Sequence, residues 1–238
     1  MLRIVRRTTR RTVRTFGLLL LALGVWASPA LSQEDDALIL VAHPSLRDLD
    51  YRQTVLIAAP APNGGHVGVI LNRPTRRPLA SLFPQHEPSK KVIDPVYYGG
   101  PFSRGALVAL VKTDATPADG AVALTRSLHM AFRANVIDQI IETTPNEARY
   151  YVGYVGWRPG ELKGELDRGL WSVLNVDPEM VFRKDTDGLW EELLQQTRRI
   201  RAKTGTDHVF AAAGKTWSVP DYQAAALAGA LSKLIPPR

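Results

Sequence analysis

The apolar residues of this chain fall first into short unbroken runs and later into stripes at helical spacing. Residues 37–42 (ALILVA) are apolar at every position and too few for a stable helix, the pattern of a strand covered on both faces. His43-Pro44-Ser45 breaks the run, and a charged loop follows through Asp48, Asp50 and Arg52. Residues 54–59 and 66–72 (HVGVILN) read as two further strands. The turn between them, 60–65 (PAPNGG), contains Asn63-Gly64, which supplies the positive φ of a tight hairpin. A polar, proline-punctuated connection occupies 74–95, with a short helix predicted at 79–83 and a surface loop at 84–95. Short strands are predicted at 96–98, 106–112 and 122–125.

The period then changes. Ser127 is positioned to cap a helix in which Leu128, Phe132, Val136, Ile137, Ile140 and Ile141 share a face and which Thr144-Pro145 ends. Residues 149–156 (RYYVGYVG) read as a strand, and Pro159 opens a helix through Asp167 with Leu162 and Leu166 facing inward. A strand at 170–176 follows. Asp187 begins a helix with Leu189, Trp190, Leu193, Leu194 and Ile200 on its apolar side. Its early Glu191 and Glu192 and late Arg198, Arg199 and Arg201 suit the helix dipole, and Gly205 closes it. Strands outnumber helices before Ile140 and hairpins join them. The pattern therefore predicts a single α+β domain with a largely antiparallel or mixed sheet, not a doubly wound one. The alanine-rich residues 206–238 form a helical extension: Ser218, Pro220 and Asp221 open a helix with Ala224, Leu227, Leu231 and Leu234 on one face. That helix is too short and weakly apolar to span a bilayer.

Charge changes the picture at the N-terminus. Residues 1–32 hold six arginines (Arg3, Arg6, Arg7, Arg10, Arg11, Arg14) and no lysine, aspartate or glutamate; setting those six aside lowers the formal charge from +7 to +1. The basic character belongs to the leader and is no argument for nucleic-acid binding by the domain. Residues 16–27 (FGLLLLALGVWA) have the length of a signal-peptide core, and the small residues Ser28, Ala30 and Ser32 follow. The expected organisation is a signal-peptide-like leader at 1–32, a domain at 33–205 and the extension at 206–238. The expected location is periplasmic; anchoring in the inner membrane through 16–27 and residence in the cytoplasm are the alternatives. Zero cysteines exclude disulfides, thiolate zinc sites and a cysteine nucleophile.

Candidate chemistry is sparse. There is no G-x-S-x-G elbow, P-loop or H-E-x-x-H, and the histidines at 43, 66, 86, 129 and 208 include no pair at metal-ligand spacing; neither a cofactor nor a metal is expected, and ligands distant in sequence are the alternative left open. His43, Ser45 and Asp48 are the residue types of a nucleophilic triad, yet as close neighbours in a polar loop they read more simply as turn formers. Asn72 and Arg73 lie just past a strand. Gly99-Gly100-Pro101 with Arg104 and Gly105 suits either an anion-holding nest or a tight, closely packed turn. Trp157-Arg158-Pro159-Gly160 opens a helix whose free N–H groups suit an anion, although Glu161 already brings negative charge. Tyr150, Tyr151, Tyr154 and Trp157, beside Arg149 and Arg158, suit either a nucleic-acid surface or a half-buried strand.

Several of these segments line up in order with a known family. Residues 40–48 (LVAHPSLRD) with Tyr51 and Thr54-Val55, residues 68–75 (GVILNRPT), residues 98–101 (YGGP), residues 153–162 (GYVGWRPGEL), Trp171 and Leu189-Trp190-Glu191 resemble the YqgE/AlgH family of bacterial proteins. The resemblance runs from about 37 to about 200. It implies one α+β domain with a branched, largely antiparallel sheet wrapped by helices. It implies no established enzyme activity and no catalytic residues, and its name carries a role in transcriptional regulation. This chain departs from the family pattern in its leader, in His43, in Arg158 and Glu161, and in the tail beyond Gly205.

The leading expectation is an exported, non-enzymatic binding or regulatory protein. Its unknown small ligand or protein partner would be met by Asn72, Arg73, Gly99, Gly100, Arg104, Trp157 and Arg158. Export would keep it from the chromosome, and no helix-turn-helix pattern is seen. The competing expectations are a cytosolic, transcription-linked regulator and a hydrolase built around His43.

Overall fold

The computed structural model describes residues 37–115 and 119–204. The leader at 1–32, the closing Gly205 and the extension at 206–238 lie outside the described residues. Ten strands are described: β1 (Leu38–Ala42), β2 (Val55–Pro60), β3 (His66–Ile70), β4 (Pro74–Pro78), β5 (Pro95–Tyr98), β6 (Phe102–Lys112), β7 (Ala121–Thr125), β8 (Leu128–Ala131), β9 (Ala148–Trp157) and β10 (Trp171–Asn175). The helices are α1 (Ala134–Thr143), α2 (Glu161–Asp167), the single turn α3 (Pro178–Val181) and α4 (Leu189–Thr204).

The sheet runs β10-β1-β2-β3-β9-β6-β8-β7, with β4 and β5 branching from β9. All of its pairings are antiparallel except that of β5 with β9. This is the expected α+β architecture with a branched sheet. The unbroken run of β1 has a direct cause. Ile39 and Val41 pack with Leu189, Leu193 and Leu194 of α4, while Leu38 and Leu40 pack with Leu162 and Leu166 of α2. Both faces are covered, so neither has polar positions.

Strand β9 organises the branch. One edge pairs with β6; the other pairs first with β5 (Tyr97↔Tyr151) and then with β3 (Gly68↔Val155). The exchange between the two is bridged by hydrogen bonds from the Gly99 N–H to the Val152 carbonyl (2.8 Å) and from the Ile70 N–H to the Gly99 carbonyl (2.9 Å). At this point Gly153 takes φ +71°. A bulge there shifts the side-chain phase by one residue, so Tyr151 and Tyr154 enter the same core cluster instead of opposite faces.

Several elements differ from the sequence reading, among them a 3-10 helix at Glu87–Lys91 within the predicted surface loop. Leu128 does not begin a helix: residues 128–131 form β8, buried throughout and paired with β6 and β7. The spacing of Leu128 and Phe132 fits two strand repeats as well as one helical turn, and the residues between them are buried too. The helix starts only after Arg133, so Ser127 caps nothing. Strand β4 lies within the stretch predicted as a connection, because an edge strand tolerates Pro74 and Pro78 at its ends. The turn α3 was also missed; the Asp177 side chain caps it by accepting the Glu179 N–H at 3.0 Å.

His66 opens β3 opposite Trp157. Burial lowers its imidazole from the usual 6.5 to about 4. Between those values the unfolded chain binds a proton that the folded one refuses. The stability contribution is complete above pH 6.5 and is lost as pH falls toward 4. Urea unfolding of the wild type and His66→Gln at pH 7 and 4.5 should therefore show a smaller acid loss in the variant.

Candidate functional site

Of the residues flagged from sequence, Arg73 and Arg104 meet at Tyr98, Trp157 lines a neighbouring groove, and Tyr51 lies near both. The Tyr98 hydroxyl donates to Asp50 Oδ1 at 3.1 Å. The guanidinium carbons of Arg73 and Arg104 lie 5.9 and 6.0 Å from the Tyr98 ring centre. Arg104 Nη2 is 3.8 Å from Asp50, and Arg73 also donates to the carbonyls of Leu49 and Arg52 at 3.2 Å. Two guanidiniums thus share one tyrosine ring, at a position where cation–π attraction holds them. Burial first, and then the Asp50 contacts, raise the Tyr98 phenol above its usual range.

The groove, of about 440 Å³ beside α2, is lined by Tyr51, Trp157, Trp171, Glu161, Glu165 and Arg168 among others. Its fixed feature is a shared acceptor. Trp157 Nε1 and Trp171 Nε1 each donate to Glu165 Oε2 at 2.8 Å. Tyr51 meets the Trp171 ring edge-on at 6.2 Å. Burial, followed by the charges of Asp48, Glu165 and Asp50, pushes the Tyr51 phenol far up and keeps it protonated.

The indole pair makes Glu165 a structural anchor. Both indoles are 5% exposed. Glu165→Leu leaves two buried donors without an acceptor and should cost about 3 kcal/mol, whereas Glu165→Gln keeps an acceptor oxygen and should cost about 1 kcal/mol. Chemical denaturation at pH 7 separates these outcomes.

Other flagged residues serve the fold. Asn72 accepts the Val55 N–H (2.9 Å) and donates to the Gln53 carbonyl (2.9 Å), tying β3 to the 43–54 loop. Gly99 and Gly100 belong to the sheet branch. A Cβ on Gly99 would lie 2.2 Å from the Gly153 carbonyl oxygen, so close packing explains this glycine. Arg158 is exposed; its N–H donates to Glu161 Oε2 at 2.9 Å, so a carboxylate of the chain itself already meets the start of α2. Of the two readings of 149–157 the strand is the one seen: Arg149, Tyr150, Tyr151, Tyr154 and Trp157 are all buried, because both edges of β9 are paired and both faces are packed. His43 Nδ1 and Ser45 Oγ do meet, at 2.7 Å on an exposed loop, while Asp48 Oδ1 accepts the Asp50 N–H.

Comparison with known proteins fits this geometry into a family. The AlgH-like family profile matches residues 39–200. The chain belongs to the AlgH-like family. A UPF0301 protein of Mycobacterium leprae is 30% identical over 178 residues, covering 72% of this chain and 86% of that one. A UPF0301 protein of Mycobacterium tuberculosis is 28% identical over 176 residues, 71% of this chain and 85% of that one. Among solved structures, the AlgH protein of Pseudomonas aeruginosa matches with a TM-score of 0.54 at 23% identity, over 81% of this chain and 98% of that one. A Corynebacterium diphtheriae protein matches with a TM-score of 0.54 at 23% identity, over 67% and 85%. These structures share the fold of the AlgH-like domain.

Sequence reasoning missed Glu165 and Asp50 as members of this face. Both read as ordinary surface carboxylates. The available signal was Glu165 on α2 between two tryptophans, each needing an acceptor once buried.

Proposed function

We propose that this AlgH-like chain is a non-enzymatic binding protein that acts outside the cytoplasm and takes a cationic group of its ligand or partner into the Tyr51–Trp157–Trp171 groove. The observation that carries this reading is the groove lining: aromatic rings stand with Glu161 and Glu165 against Arg168. Such a surface attracts an ammonium or guanidinium through ring faces and carboxylates together. Arg73 and Arg104 at the neighbouring Tyr98 supply the opposite sign and orient a partner carrying an acidic group beside the basic one. Export rests on the arginine-flanked apolar run at 16–27 and the small residues after it.

Titration of the nitrogen-15-labelled chain with argininamide, followed through the indole N–H resonances, tests the groove. The expected result is movement of the Trp157 and Trp171 signals by argininamide and not by N-acetylglutamate. Movement by the anion alone would overturn the reading.

One observation favours a second reading, a hydrolase: the 2.7 Å contact between His43 Nδ1 and Ser45 Oγ. That reading requires His43→Ala to abolish any ester turnover the chain shows; unchanged turnover would remove it.

A further inference from the structure

Away from the groove, His86 meets two potential ligands on α1, distant from it in sequence. Nitrogen or oxygen atoms of His86, Asp138 and Glu142 all lie within 4.8 Å of one another. Asp138 and Glu142 are four residues apart on α1 and share a helix face. His86 comes from the 74–95 connection, and its Nε2 is 3.3 Å from Asp138 Oδ1. That nitrogen is shielded from solvent and makes no hydrogen bond. The side chain as a whole is 26% exposed, and a ring nitrogen without a hydrogen bond, turned toward carboxylates, is a candidate ligand for a cation.

The segment carrying His86 is well held. Ser89, fully buried, donates its hydroxyl to the His86 carbonyl at 2.7 Å. Asn146, just beyond α1, accepts the Ile93 N–H and donates to the Lys91 carbonyl. The backbone on both sides of the cluster is therefore held in place. Bonds of about 2.0–2.2 Å from one imidazole nitrogen and two carboxylate oxygens suit zinc and similar divalent ions.

We propose that His86, Asp138 and Glu142 form a divalent transition-metal site with zinc-type ligation. Three protein ligands leave a position open. His86 and Asp138 also line a cavity of about 580 Å³ whose other walls include Phe83, Leu107, Phe132 and Ile137. The open position thus adjoins an apolar chamber, the arrangement of a site that binds an exogenous ligand and not of a closed structural centre. The sequence showed no such site because His86 is separated from α1 by four strands.

Isothermal titration of zinc into the untagged full chain, stripped beforehand with a chelator, tests the site. One zinc per chain is expected, with affinity at least tenfold weaker in His86→Gln, Asp138→Asn and Glu142→Gln. Glu87→Gln, which removes a neighbouring exposed carboxylate, should bind as the wild type does. Asp138 and Glu142 are exposed, so their variants keep the test valid if His86→Gln fails to fold. The absence of zinc binding, or wild-type affinity in both carboxylate variants, would overturn the proposal.

Discussion

Replacing Arg149 with methionine is expected to destabilise the protein by about 3–5 kcal/mol, the largest effect anticipated for any substitution of a charged residue here. Arg149 is 0% exposed. Its guanidinium donates to the carbonyls of Val181 (2.9 Å), Phe182 (3.0 Å) and Arg183 (3.1 Å). It lies 3.5 Å from Asp94 and 4.5 Å from the centre of the Tyr97 ring. The planar fork closes the C-terminal end of α3 and binds it to β9 and β5. Methionine fills much of the volume but leaves those carbonyls without donors and Asp94 without its cation. Lysine should rescue little, because one ammonium on a flexible stem cannot reproduce the fork or stack on the ring. Thermal and urea unfolding of the wild type, Arg149→Met and Arg149→Lys supply the comparison. A loss below about 1 kcal/mol in Arg149→Met would show that the residue is not the clamp its contacts describe.

Gly153→Ala should rival that loss, at about 3 kcal/mol or more. Two penalties act together. Alanine dislikes φ +71°, and its Cβ would lie 2.3 Å from the Gly100 carbonyl oxygen and 3.0 Å from that of Phe102. Both obstacles are backbone at the sheet branch, where β5 and β3 exchange places beside β9, so neither can swing aside. Gly160→Ala separates the penalties. Its φ is +82° but nothing lies within 4 Å of the added Cβ. It should lose only about 1 kcal/mol, the conformational part alone. Equal losses at the two positions would mean that the branch tolerates a methyl group and that close packing is not the reason for glycine.

These two residues also show where sequence reading stopped. The β2–β3 hairpin and β1 were legible because their patterns are local: apolar runs bounded by Asn63-Gly64 and Pro44. Leu128 was misread because four-residue spacing serves both a strand and a helix, and only its pairing with β6 decides between them. Arg149 resembled half of an aromatic-basic surface because nothing local shows that both edges of β9 are occupied. Within the candidate site, Arg73, Arg104 and Trp157 were visible as polar or aromatic residues at strand ends. Glu165 gained its meaning only when Trp157 and Trp171 converged on one of its oxygens, a relation between strands and a helix that no sequence spacing encodes.

The proposal of a binding protein outside the cytoplasm depends first on where the chain resides. Fractionation of the native cells, followed by N-terminal sequencing of the recovered protein, measures this directly. The account predicts a mature chain beginning near Leu31 or Gln33 in the periplasmic fraction. A chain retaining Met1 in the cytosol would contradict it, and would return a transcription-linked role, with salt-sensitive DNA affinity, to the front.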